Sequence, residues 1–222
     1  FWRVDAENDA GLPRNFRTCQ SSFHGVEHKY ASEVDPSYVP SREGLDDLRI
    51  SGSGQFSARQ FDALVHELRK KTKGPIYDVD LRQESHGFFD GTAVSWYGRH
   101  DWGNIGKSQA EVLIDEQQRL QAALGTDVTV YDQGKGDLPV HPQIMTVRRV
   151  QTERELAESK GVHYVRLAST DHLWPTPGEI DAFLVFVRTL PDDAWLHFHC
   201  EAGAGRTTAY MVMYDMIKNP DV

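Results

Sequence analysis

The pattern of apolar and polar positions changes character along the chain. Residues 1–55 hold no sustained period and read as irregular. Leu12-Pro13-Arg14-Asn15-Phe16-Arg17 and Val39-Pro40-Ser41-Arg42-Glu43-Gly44 read as extended segments and turns, and Leu48-Arg49-Ile50-Ser51 as a short strand closed near Gly52 and Gly54. A helical period then appears. Ser57 and Gln60 are spaced as a capping box, Phe56 and Phe61 as a hydrophobic staple, and Phe61, Leu64, Val65 and Leu68 share one face. Lys70, Lys71 and Lys73 suit the helix end, and Gly74-Pro75 stops it. Ile76–Arg82 is the next predicted strand, and Phe88–Tyr97 a hairpin turning at Asp90-Gly91. A second helix starts at Ser108, capped by Glu111, and ends at Gly125. Val128–Tyr131 reads as a strand, residues 132–143 as a Gly/Pro-rich loop, and Thr146–Val150 as a further strand.

Beyond residue 150 the alternation is regular. Thr152 and Glu155 cap a short helix ending at Gly161, and Val162–Leu167 is a strand. Thr176-Pro177-Gly178-Glu179 opens a helix with proline at its first position and Ile180, Phe183, Leu184 and Val187 as its buried stripe. Trp195–His199 is a strand and Arg206–Lys218 a helix. Strand and helix in turn predict an α/β fold with a mainly parallel central sheet flanked by helices on both faces. Ligands in such sheets lie beyond the carboxyl ends of the strands.

Composition narrows the field. The chain has 222 residues, 39% hydrophobic and 26% charged, enough for one full domain. No apolar run approaches a membrane span, and no signal peptide precedes Phe1, so the chain reads as a mature or trimmed form. Its net charge of −9 argues against a nucleic-acid or membrane partner, although clustered arginines can still attract a small anion locally. Two cysteines make no disulfide framework; Cys19 reads as a free structural thiol. No His/Asp cluster has metal-ligand spacing, so neither a metal nor another cofactor is expected.

The chemistry concentrates in Trp195-Leu196-His197-Phe198-His199-Cys200-Glu201-Ala202-Gly203-Ala204-Gly205-Arg206-Thr207-Thr208. A cysteine ends a strand, an arginine opens a helix, and four of the five residues between them are alanine or glycine. The amides of Glu201, Ala202, Gly203, Ala204 and Gly205 can turn inward as an anion-binding nest at a helix N-terminus, where the dipole adds to their pull. Arg206 supplies a planar fork for two phosphate oxygens. A tetrahedral dianion would then sit over a nucleophilic Cys200. Thr207 can donate its hydroxyl to the sulfur. His199 suits either polarisation of the loop from behind or a place in the core. Phosphoryl transfer through cysteine also needs an acid for the leaving oxygen. Asp171 follows the strand ending near Leu167 and emerges on the same sheet edge. Alone it reads as a turn residue; beside Cys200 it reads as the acid. His172 suits a phosphate contact or an exposed loop position.

His199–Thr207, together with Thr170-Asp171-His172-Leu173-Trp174-Pro175, resembles the bacterial cysteine phytases, the protein-tyrosine-phosphatase-like myo-inositol hexakisphosphate phosphohydrolases. Leu12–Thr18, Val39–Gly44, Ile76–Gly87, Ser95–Gly98 and Trp195–Lys218 extend the likeness over nearly the whole chain. Ordinary tyrosine phosphatases carry a small residue where Glu201 stands, and a Trp-Pro-Asp order instead of Asp-His-Leu-Trp-Pro. The resemblance implies a phosphatase core with a small β-barrel-like addition drawn from the strands before about residue 150. It implies stepwise, metal-free hydrolysis of inositol polyphosphates, small-molecule substrates, and a secreted or periplasmic location. It also implies that Arg3 contacts substrate phosphate and that Asp101 contacts the inositol ring at the pocket edge. Residues 1–222 would then be a catalytic domain lacking the family's C-terminal part and the basic contacts it carries. Asp137, in the Gly136-Asp137-Leu138-Pro139 loop, would weaken anion attraction if that loop reaches the pocket. Two alternatives stay open: a tyrosine or dual-specificity protein phosphatase, and a non-catalytic phosphoinositide-binding module.

Overall fold

The computed structural model describes residues 1–23, 32–35 and 37–222, and the rest of the expected irregular stretch lies outside these. In chain order the strands and helices are β1 Trp2–Ala6, β2 Arg17–Thr18, β3 Ile50–Ser53, α1 Ala58–Lys71, β4 Ile76–Arg82, β5 His86–Phe89 and β6 Thr92–Trp96. They continue as α2 Gln109–Ala123, β7 Asp127–Gln133, β8 Pro139–Thr146, β9 Val150–Gln151, α3 Glu153–Ser159, β10 His163–Ser169, α4 Pro177–Arg188, β11 Trp195–His199 and α5 Gly205–Lys218.

The strands form two sheets. One has five strands in the order β10-β4-β11-β3-β2, parallel throughout except where β2 meets β3. Alternation along β11 shows how its two faces are covered. Phe198 meets Phe183 of α4 and Tyr214 of α5, whereas His199 packs on Phe56, the staple residue of α1. Helices therefore cover both faces, as the strand–helix alternation predicts. Capping boxes form at Ser57/Gln60, Ser108/Glu111, Thr152/Glu155 and Thr176/Glu179, and Phe56 and Phe61 lie 4.6 Å apart.

The second sheet has the order β8-β7-β1-β6-β5-β9, with β1 and β7 parallel and the other pairs antiparallel. Among the described residues its ladder is open, with β8 and β9 at the edges. Trp2, Phe89, Val94, Leu120 and Val130 pack together beneath it. The sequence reading misplaces three parts of this sheet. Trp2–Ala6 is a strand, concealed because Arg3 and Asp5 point inward as a buried ion pair. Residues 139–143, expected as part of a loop over 132–143, belong instead to the strand β8. Being an edge, it is almost fully exposed and tolerates Pro139 and Pro142. The strand expected over Thr146–Val150 is instead the end of β8 and the start of β9, separated by Val147, Arg148 and Arg149.

Phe183 is buried where α4, α5 and β11 meet, with ring contacts to Phe198 and Tyr210. Phe183→Ala is expected to cost about 3–5 kcal/mol of unfolding free energy, with an unchanged denaturant slope. Urea titration checks this; a loss under ~1 kcal/mol would show that the ring does not carry the contact.

Candidate active site

Parallel register brings four strand ends to one edge. His199 pairs with Asp80 and with Ser53, and Ser169 with Arg82. The residues that follow are Gly54-Gln55 after β3, Gln83-Glu84 after β4, Thr170-Asp171 after β10 and Cys200 after β11. The edge thus collects a glutamine, a glutamate, an aspartate and a thiol from four separate stretches.

The loop after Cys200 has its carbonyls tied down from behind. Arg14 Nη2 donates to Glu201 O at 2.6 Å, Gln55 N to the same oxygen at 2.9 Å, Asn15 Nδ2 to Ala202 O at 2.7 Å, and Arg17 Nη1 to Gly203 O at 2.8 Å. Arg14 also pairs with the Glu201 carboxylate. With carbonyls held outward, amides turn inward: Gly203 N donates to Cys200 Sγ at 3.3 Å, and Thr207 Oγ1 to the same sulfur at 3.2 Å. Gly203 is obligatory. Its φ is +76°, and a Cβ would fall 2.2 Å from Gly54 N. Unlike α1 to α4, α5 has no side-chain cap, so its first amides stay available to an anion.

Arg206 sits in the first turn of α5 and is only 4% exposed. Burying a guanidinium requires a partner, and Glu84 provides one in bidentate form, Nη1–Oε2 2.8 Å and Nη2–Oε1 3.0 Å. Burial disfavours the Glu84 charge, but Arg206 and Arg82 hold it well below the usual carboxylate range. Asp171 Oδ1 lies 3.1 Å from Arg206 Nε, which brings the predicted acid to the predicted phosphate fork. The predicted nucleophile, cation and acid are therefore brought to one edge of the sheet.

His199 does not touch the loop. It points to the opposite side of the strand from Cys200, fully buried, and its Nε2 lies 2.5 Å from Glu153 Oε1. Its Nδ1 has no partner among the described residues. Of the two readings open for His199, the ring's contacts are those of the core histidine. Around it the fold assembles what linear spacing does not reveal: Asp78, Glu153 and His199, and Asp80, His86 and Glu153, each come within possible metal-ligand distance. The residues lie on β4, β5, α3 and β11, too far apart in sequence to announce themselves. Arg166 pairs with Asp80 at 2.8 Å and the Tyr164 hydroxyl donates to it at 2.6 Å, so the cluster carries internal counter-charges. Burial resists the His86 charge, yet Asp80 and Glu116 push its pKa up to about 10.

Arg3 is 2% exposed, and its donors point inward, to Asp5 Oδ1 at 2.7 Å, Gln133 Oε1 at 2.9 Å, Ser95 Oγ at 3.1 Å and Asp101 Oδ2 at 3.3 Å. The guanidinium expected to meet substrate is engaged by protein on every nitrogen. Asp101 is buried beside it. Burial and the Glu84 carboxylate push its pKa up to about 7, against Arg3. His172 is exposed, next to Asp171, and packs edge-on to His100 with centroids 5.6 Å apart. The Asp137 loop does reach this side: Asp137 accepts from the Tyr97 hydroxyl at 2.7 Å and from Gln133 Nε2 at 2.8 Å, and Gln133 also holds Arg3.

Sequence reasoning assigned no role to Glu84, Gln55, Arg14, Asn15 or Arg17. Glu84 had a usable signal, since it follows a parallel strand at the ligand edge. The 14–17 segment lies about 185 residues from the loop it braces, and only its concentration of basic and amide groups hinted at a task.

An α/β sheet bearing a thiol at a strand end, an amide nest and a buried arginine defines a protein-tyrosine-phosphatase-like protein. The profile of the PTP-like phytase family, described by inositol hexakisphosphate, matches residues 79–218, and the chain belongs to this family. It is similar over its whole length to two structures from Mitsuokella multacida. One is a tandemly repeated protein tyrosine phosphatase like phytase, with 51% identity and a TM-score of 0.94. The other is a PTP-like myo-inositol phosphatase in complex with myo-inositol-(1,3,4,5)-tetrakisphosphate, with 52% identity and a TM-score of 0.95. A PTP-like phytase from Bdellovibrio bacteriovorus is 33% identical with a TM-score of 0.69, covering 97% of this chain and 67% of that one. The effector protein hopD2 of Pseudomonas syringae pv. tomato is 32% identical over 88% of this chain. The chain spans 38% of each Mitsuokella chain and 43% of hopD2.

Asp101 gives a pH prediction for this site. As pH rises through about 7 its carboxyl ionises, and if Asp101 borders the bound phosphates, as the family resemblance implies, the new negative charge opposes them. A unit charge a few ångströms from a phosphate costs ~1 kcal/mol in watery surroundings, roughly fivefold in affinity. For a phosphate ester bound here, the wild-type KM is expected to rise by about that factor between pH 6 and 8, whereas Asp101→Asn is expected to match wild type at pH 6 and to keep that lower KM at pH 8. Parallel KM profiles for both enzymes across this range would contradict the assignment.

Proposed function

We propose that this chain hydrolyses phosphomonoesters of inositol polyphosphates, phytate first among them, through a phosphocysteine. The observation that carries the reading is the approach of the Asp171 carboxylate to within 3.1 Å of the arginine that opens the helix after Cys200. The Mitsuokella likeness, in a structure holding an inositol tetrakisphosphate, supports the substrate class. The six-stranded sheet, in this reading, is the family's small barrel-like addition, and it lends Arg3 and Asp101 to the pocket edge.

In the first step the Cys200 thiolate attacks phosphorus and the P–O bond to the inositol carbon's oxygen breaks. Asp171 gives its proton to that oxygen, so a neutral hydroxyl leaves. Inward loop amides and Arg206 bind the equatorial oxygens, whose charge they stabilise best in the transition state. In the second step the Asp171 carboxylate takes a proton from water while the water oxygen attacks phosphorus. The P–S bond breaks, and Thr207 steadies the departing sulfur by its 3.2 Å contact. Glu84 holds the Arg206 guanidinium by its Nη1 and Nη2 ends throughout, fixing the plane in which its remaining N–H groups donate.

Cys200→Ser is expected to bind phytate and to lose turnover by ~10³-fold or more. Phosphate release at the wild-type rate would sink the covalent mechanism, and no phosphate release by the wild type would favour a merely binding module. Asp171→Asn is expected to slow phytate hydrolysis by about 10²–10⁴-fold and p-nitrophenyl phosphate hydrolysis far less, because p-nitrophenolate leaves without a proton. Equal losses on both substrates would take the acid role from Asp171. Relative kcat/KM on phytate and on a phosphotyrosine peptide separates this reading from a protein phosphatase.

A further inference from the structure

The acid itself is held by a residue that lies in the other half of the fold. Trp102 follows the turn Arg99–Asp101 after β6, and its indole Nε1 donates to the backbone carbonyl of Asp171 at 2.9 Å. The two loops meet a second time through the His100 and His172 rings.

The loop carrying Trp102 is a firm base. Asn104, buried, donates to Gln83 O at 3.1 Å and to Ser85 Oγ at 2.8 Å, which ties the loop to the end of β4. Asp101 is paired with Arg3. His100 and Asp101 both have positive φ, +61° and +60°, a conformation that non-glycine residues keep only where their surroundings impose it. Gly98 and Gly103 pack so closely that a Cβ on Gly98 would fall 2.9 Å from the Gly103 backbone.

The acid loop has little support of its own. Leu173 and Trp174 are exposed, Trp174 at 83%. Thr170 Oγ1 donates to Gln83 Oε1 at 3.0 Å, and His172 N turns back to Asp171 Oδ1 at 3.0 Å. Beyond these, Asp171 is fixed at two points: its carboxylate by Arg206 and its carbonyl by Trp102. The first contact competes with substrate, because an incoming phosphate claims the same guanidinium. The second does not. During catalysis Trp102 is therefore the tie that remains on the acid's backbone.

We propose that Trp102 is a positioning residue for the general acid, its indole N–H holding the Asp171 backbone so that the carboxyl meets the leaving oxygen. The proposal rests on Asp171 being the acid. It also gives the β-rich sheet a part in proton transfer, because the sheet's β6–α2 connection carries the tie.

Trp102→Phe tests it, since this variant keeps an aromatic ring beside His100 and removes the N–H together with part of the indole. A hydrogen bond of this kind is worth about three- to tenfold in rate. The expected result is a kcat/KM for phytate lowered by that factor and a kcat/KM for p-nitrophenyl phosphate within about twofold of wild type, because kcat/KM stops at phosphorylation of the cysteine, where only the phytate oxygen needs a proton. In the Asp171→Asn background, Trp102→Phe should have no further effect on either substrate. Thermal melts of all four proteins record any general loss of stability. Equal losses on the two substrates, or additive losses in the double variant, would overturn the proposal while leaving Asp171 in place. If Asp171→Asn itself shows no dependence on the leaving group, the acid reading fails, and this proposal fails with it.

Discussion

A single line of buried charge joins the site to the rest of the molecule. Arg206 is held by Glu84, Glu84 by Arg82 at 2.7 Å, Arg82 by Asp5 at 2.8 Å, Asp5 by Arg3 at 2.7 Å, and Arg3 by Asp101 at 3.0 Å. The signs alternate at every step, and every member is nearly or fully buried. None could be buried alone. An isolated ion of this size costs several kcal/mol to remove from water, and deleting one partner leaves its neighbour unpaired. The line is thus held by mutual need, and it crosses from the five-stranded sheet, through β1, to the six-stranded one. Arg82 also donates to Gln55 at 2.7 Å, and Gln55 reaches both Glu153 and the Glu201 carbonyl. The cradle is braced along two branches from one arginine.

This arrangement explains what was readable and what was not. Elements with an apolar stripe and a cap, such as α1 and α4, or a continuous apolar strand, such as β11, announce themselves because local chemistry sets them. The cysteine, the glycines, the arginine and the acid were readable because they follow predicted strands at one edge. The charged line was not. Arg3, Asp5, Arg82 and Glu84 look like surface residues, since nothing local tells a solvated charge from a buried pair whose partner is about 77 or 122 positions away. For the same reason β1 was concealed: its inward residues are ionic. β8 failed in the opposite way, as an exposed edge has no apolar face to display.

The two sheets divide the work. Parallel strands of the first bring Cys200, Glu84, Asp171 and Gln55 to one edge without any of these residues being near another in sequence, apart from the short loop itself. The second sheet fixes what the first leaves loose. It supplies Arg3 to complete the charged line, Gln133 and Tyr97 to hold the Asp137 loop, and Trp102 to reach the acid.

A chain with nine excess negative charges can still favour a polyanion, because the field at the cradle is set locally. Arg14, Asn15 and Arg17 draw the loop's carbonyl dipoles outward, so the positive ends of the same peptide units face in. Glu84 neutralises Arg206 only in part, for it takes one edge of the fork and leaves Nε toward Asp171. The carboxylates nearest the site are therefore both set against the buried cation: Glu84 holds the end of the Arg206 guanidinium, and Asp171 lies beside its Nε. Asp137 is the exception. Its carboxylate is bound by Tyr97 and Gln133 and faces Arg99 and His100, offsetting their charge on the side where Arg3 is already spent on Asp101.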